Sequence, residues 1–190
     1  MSSLKLIKRN FRKEEGFTLF ELLVVIAMIA ILSSMVFSNP DKWQNGLALE
    51  RSAQKLGQDI SQSRALSMRG ESGGCSGSNA DGYGVYLDKT ASSTYFIYRN
   101  CDNDANKSYN SNFDEKFKTN IPLGSSIVIC GLKEGNTEVS NLSIFFEPPD
   151  PTIFINGNSG VTSSVTVCIK NDASKQKTVE INKIGNINLK

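Results

Sequence analysis

The sequence predicts an α+β fold, a long N-terminal helix packed on an antiparallel β-sheet head. Three observations carry this expectation. Residues 17–37 form an almost unbroken apolar run, residues 49–60 repeat apolar side chains at helical spacing, and beyond residue 70 the pattern turns to short β-branched and aromatic runs. The chain has 190 residues, 39% hydrophobic and 21% charged, with a net charge of +2, values that suit one folded domain with an appended segment.

Taken in order, residues 1–16 carry Lys5, Lys8, Arg9, Arg12 and Lys13 against Glu14 and Glu15. The run FTLFELLVVIAMIAILSSMVF follows at residues 17–37. As a helix rising about 1.5 Å per residue it is long enough for the roughly 30 Å hydrocarbon core of a bilayer. By the positive-inside rule the basic stretch stays cytoplasmic and everything after Phe37 lies outside. A secretory signal would end its apolar region at a small-residue cleavage site, and none closes this run, so the segment is expected to remain. Glu21 interrupts it near the start. A carboxylate at the bilayer centre costs on the order of 3 kcal/mol, so it calls for a partner.

Ser38-Asn39-Pro40-Asp41 can be read as an N-cap with proline at the first helical position, or as a kink inside a continuing helix; the kinked or interrupted long helix is favoured. Leu49, Ala53, Leu56 and Ile60 then mark one apolar stripe, read as packing on the sheet of the head. The helix should reach about Met68 and stop at Gly70. Seven strand-like runs follow: GYGVYLD, STYFIYR, SSIVIC, LSIFFE, TIFIN, SSVTVCIK and KTVEIN.

Cys75, Cys101, Cys130 and Cys168 all lie beyond the apolar run, and an even count in an exported domain favours two disulfides. If the first two strands form an antiparallel hairpin, Cys75 and Cys101 flank its open end, which leaves Cys130 for Cys168. Closing the first loop should contribute roughly 3 kcal/mol. No histidine occurs, which removes the commonest metal ligand and the usual general base. The G-x-S-x-G match at residues 70–74 therefore lacks a base, and no strand leads into it; it reads as a loop, and the chain as no enzyme.

The string Gly16-Phe17-Thr18-Leu19-Phe20-Glu21 followed by LLVVIAMIAIL resembles the class III signal of type IV pilins and type II secretion pseudopilins. The resemblance implies a leader at residues 1–16, cut between Gly16 and Phe17 by a prepilin peptidase. It implies N-methylation of Phe17, and assembly through pairing of Glu21 with the new Phe17 amine of a neighbour. Residues 17–38 would be the membrane and filament-core helix, 39–70 its amphipathic second half, and 71–190 the β-rich head. The implied partners are other pilin or pseudopilin subunits, the prepilin peptidase, an inner-membrane assembly platform and the cytoplasmic membrane. The protein would start as a single-pass inner-membrane precursor with its head outside, then join an extracellular or periplasmic fibre.

The order of the G-Y-G-V-Y-L-D strand, the Y-F-I-Y strand, an acidic Asn-rich loop and I-P-L-G is similar to the H-type minor pseudopilins and their pilus counterparts, which implies a minor subunit. Some pseudopilins bind calcium, and Asp102, Asp104 and Asn106, with Asp114 further on, match such a loop loosely. Lys107 stands at the sixth position and Phe113 at the twelfth, where glycine and glutamate are required, so a solvated acidic turn and no cofactor are expected. DNA-uptake relatives carry a basic G-R-x-R motif near the C-terminus. Here that stretch reads Ile184-Gly185-Asn186-Ile187, without arginine, and Lys170, Lys175, Lys177, Lys183 and Lys190 are interrupted by Asp172 and Glu180. Nucleic acid is thus not the expected partner. A membrane-anchored module that never polymerises is the other alternative.

Overall fold

The computed structural model describes residues 17–37, 40–70, 75, 81–101, 107–149 and 152–190. Helix α1 runs Leu19–Phe37 and helix α2 runs Pro40–Met68. The first helix begins two residues later than the apolar run, and the second is described from Pro40. Residues 38 and 39 lie outside the described residues. The chain forms two compact units, the first ending at Pro40 and the second running Asp41–Lys190. α2 thus belongs with the head.

Within the second unit, α2 ends where the sequence places its stop. Gly70 takes φ 59°, the left-handed conformation that glycine adopts without strain, and its N–H reaches Ser67 O at 3.2 Å. The strands are β1 (Gly82–Asp88), β2 (Thr94–Asn100), β3 (Glu115–Pro122), β4 (Ile127–Glu134), β5 (Thr137–Glu138) and β6 (Asn141–Glu147). They continue with β7 (Thr152–Ile155), β8 (Asn158–Ser159), β9 (Ser163–Ile169), β10 (Asp172–Ile181) and β11 (Ile187–Leu189). All pairings are antiparallel, but they build two sheets instead of one, in the orders β3-β2-β1-β6-β7-β8 and β11-β10-β9-β4-β5.

One buried cluster joins α2 to both sheets. Leu49, Ala53, Leu56 and Ile60, the predicted stripe, pack with Val85, Leu87 and Ile97 of the first sheet and with Leu132, Val165, Val167 and Val179 of the second. Alternation along each strand decides which residues enter this cluster. The opposite face of the first sheet carries aromatic rings laid over glycine. A Cβ on Gly84 would stand 2.6 Å from the ring of Tyr98, its cross-strand partner, so only glycine leaves the ring its place.

Among the hydrogen bonds that tie α2 to the rest of the head, two involve buried serines of the helix. Ser67 Oγ accepts from the buried Tyr83 N–H at 2.8 Å, and Ser52 Oγ donates to Leu123 O. Disulfides join Cys75 to Cys101 and Cys130 to Cys168, with Cα separations of 5.6 and 6.0 Å.

Candidate functional site at the amino-terminal helix

Thr18 starts α1. Its Oγ1 accepts the N–H of Glu21 at 3.2 Å, and its carbonyl accepts the N–H of Leu22 at 3.2 Å, the geometry of an N-cap. The four residues Thr18-Leu19-Phe20-Glu21 have the threonine and glutamate spacing of a capping box, a signal the sequence reading passed over. Glu21 therefore stands in the first helical turn, where the unpaired N–H groups and the positive end of the helix dipole favour a carboxylate.

The rest of α1 is apolar on every side and uncovered. Phe17 is 83% exposed and Leu32 65%, and Leu19, Phe20, Ile26, Met28, Ile29 and Ile31 are exposed as well. A helix that is hydrophobic all round is stable only when something covers it, whether lipid or other helices. The 19 residues of α1, at about 1.5 Å each, fall just short of a roughly 30 Å hydrocarbon core. Among the described residues no helix is long and apolar enough to cross a membrane. Gly16, on the other side of the expected cut, lies outside the described residues; Phe17 begins them.

The remaining candidates fall elsewhere. Asp102, Asp104 and Asn106 lie outside the described residues. Asp114 uses both oxygens on the backbone, Oδ1 accepting from Cys101 N–H at 3.0 Å and Oδ2 from Asn110 N–H at 2.7 Å. Lys107, the sixth residue of that pattern, reaches Glu147 at 3.1 Å and Asp81 at 3.5 Å. Burial alone would lower its pKa, but the two carboxylates outweigh it and raise it. Among the described residues no cluster of three metal-ligating side chains forms.

Of the C-terminal lysines, Lys177 pairs with Glu50 at 3.1 Å, Lys190 with Glu180 at 2.8 Å and Lys175 with Asp172 at 3.9 Å. The Glu50 pKa is lowered by its hydrogen bond to Lys177. A phosphate backbone would have to compete with these carboxylates.

The prokaryotic N-terminal methylation motif matches residues 11–37 of this chain, a stretch that holds Gly16, Phe17, Glu21 and all of α1. The motif is that of type IV pilin-like and pseudopilin substrates of prepilin peptidase, and it supports processing of this kind at the N-terminal end of the chain. No curated protein and no solved structure matches the chain.

Proposed function

We propose that this chain is a minor pilin or pseudopilin, a structural subunit without catalytic activity. Cleavage between Gly16 and Phe17 frees an amine, which is N-methylated, and the subunit waits as a single-pass protein of the cytoplasmic membrane. The slight shortfall of α1 against the bilayer is absorbed by local thinning. An assembly platform then draws the subunit out, and its helix exchanges lipid for neighbouring helices. A contact of this heterologous kind does not close and so builds a helical fibre.

The observation that carries this reading is a helix apolar on all faces, uncovered, with its carboxylate fixed in the first turn. There Glu21 is presented at the end of the helix where the amine of Phe17 in a neighbour would arrive. In a medium with little water that attraction far exceeds an exposed ion pair. The strand order of the head supports a minor subunit over a major one.

Mass spectrometry of the native polypeptide tests the first step. The expected mature chain starts at a methylated Phe17; a chain that retains residues 1–16 would remove the amine on which assembly depends. Glu21→Ala then separates a fibre subunit from a plain anchor. Processing should continue while incorporation into sheared fibres drops at least about tenfold, the ratio for the loss of 1.4 kcal/mol.

A further inference from the structure

The second sheet turns Val165, Val167, Val179 and Ile181 to the core, so the residues between them face out. On that outer face lies a polar hollow of about 340 Å³. Its floor follows from the strand register. Lys133 pairs with Ser164, Ser164 with Glu180, and Glu180 with Asn188, which sets four side chains in a row across β4, β9, β10 and β11. At about 4.8 Å per strand the row spans roughly 14 Å. The walls are held by the backbone. Gly135, at φ 58°, turns β4 into β5, and its N–H donates to Thr162 O at 2.7 Å. On the other side, Asn182 Oδ1 accepts the N–H groups of Ile184 and Asn186 at 3.1 and 2.8 Å, which leaves its amide nitrogen free to donate. A site fixed in advance loses less freedom when it binds.

The charges around the hollow offset one another. Glu180 accepts from Lys190 on both oxygens, at 2.9 and 2.8 Å. Lys133 has Glu138 as its other cross-strand neighbour, and that carboxylate reaches Lys89 at 4.0 Å. Neither an anion nor a cation is therefore strongly favoured. The hydroxyls of Thr162 and Ser164 and the amides of Asn136 and Asn188 have no partner among the described residues. Hydroxyls and amides both donate and accept, and a sugar hydroxyl does the same. The one large apolar residue at the lining, Ile181, turns its side chain to the core, so an apolar ligand finds no surface there.

From this arrangement we infer that the hollow binds a neutral sugar unit, whose hydroxyls bridge Ser164 and Asn188, with Lys133 donating at one end of the row and the Asn182 amide at the other. The volume sits at the lower end of small-molecule sites, about 300–1,000 Å³. With no aromatic ring for the sugar to lie on, the dissociation constant should be on the order of 1 mM. The site lies wholly in the head, so it depends neither on cleavage after Gly16 nor on assembly.

The full-length chain in a sugar-free detergent is titrated with methyl β-glucoside or methyl β-galactoside, and saturation transfer from protein to ligand is read by proton NMR. Glycerol, a polyol too small to span the row, is the control. Transfer to at least one glycoside should exceed transfer to glycerol by about threefold or more and saturate near 1 mM. Ser164→Tyr fills the floor with a ring at a half-buried strand position, where aromatic residues are tolerated, and should abolish transfer with the circular dichroism unchanged. Asn188→Ala, at an exposed position, should weaken binding about fivefold, as the loss of one hydrogen bond does. If Ser164→Tyr misfolds, Asn188→Ala alone decides. No transfer to either glycoside up to about 50 mM overturns the inference. So does transfer no greater than that to glycerol, or transfer undiminished in the folded variants, which would put the sugar elsewhere.

Discussion

Leu56 of α2 is fully buried, whereas Ile29 of α1, an aliphatic side chain of the same size, is 57% exposed. The two helices differ in where their burial comes from. α2 carries one apolar stripe with polar residues around it, and the head covers that stripe. α1 has no such asymmetry, and among the described residues its apolar side chains stay exposed. The lesson is that hydropathy around a helix indicates its partner: one apolar face is satisfied within the chain, and apolar faces all round demand lipid or other subunits.

Truncating one side chain in each helix sharpens this contrast and gives the largest expected effect. Leu56→Ala should destabilise the head by about 2–5 kcal/mol, the cost of lost transfer energy plus a cavity. Ile29→Ala should move the denaturation midpoint of the head by no more than about 0.5 kcal/mol equivalents. Its loss should appear instead in membrane partition, at about 0.8 kcal/mol per methylene removed. Urea unfolding in detergent followed by circular dichroism checks the first pair, and vesicle flotation the second. Equal loss of head stability in both variants would break the comparison.

Gly84→Ala should rank next. Its Cβ would enter the ring of Tyr98, and overpacking of this kind costs about 1–3 kcal/mol, read as a lowered urea midpoint with an unchanged slope. Ser67→Ala probes the seam between α2 and β1. The Tyr83 N–H would lose its acceptor in a buried place, at about 1–3 kcal/mol, and hydrogen exchange at that amide should quicken.

What could be read from the sequence followed the strength of each local pattern. The stripe from Leu49 to Ile60 repeats at helical spacing and was legible, as were the strands with apolar alternation. β3 was not, because its inward-facing positions hold only two apolar residues, Phe117 and Ile121, with Thr119 between them, and Lys116, Lys118 and Asn120 face out. It is an edge strand, mostly exposed, and lysines there hinder pairing with another chain. β5, β8 and β11 are two or three residues long, too short for a period. The division into two sheets was hidden for a different reason: alternation says which side of a strand is buried, not which neighbour it pairs with. At the site, Glu21 was legible as a misplaced charge. Thr18 was overlooked although its spacing to Glu21 is itself a helix-start signal.

The smallest expected effect returns to α2. Gly46 lies in the helix interior, and a Cβ built there would meet nothing within 4 Å. Its φ is not in the left-handed region, so alanine fits the backbone that glycine already adopts. Glycine there gives the unfolded chain extra freedom, and alanine should therefore stabilise the head by about 0.5–1 kcal/mol, seen as a raised urea midpoint. A lowered midpoint would mean that the helix at Gly46 needs the conformational freedom of glycine, against the open space and helical backbone found there.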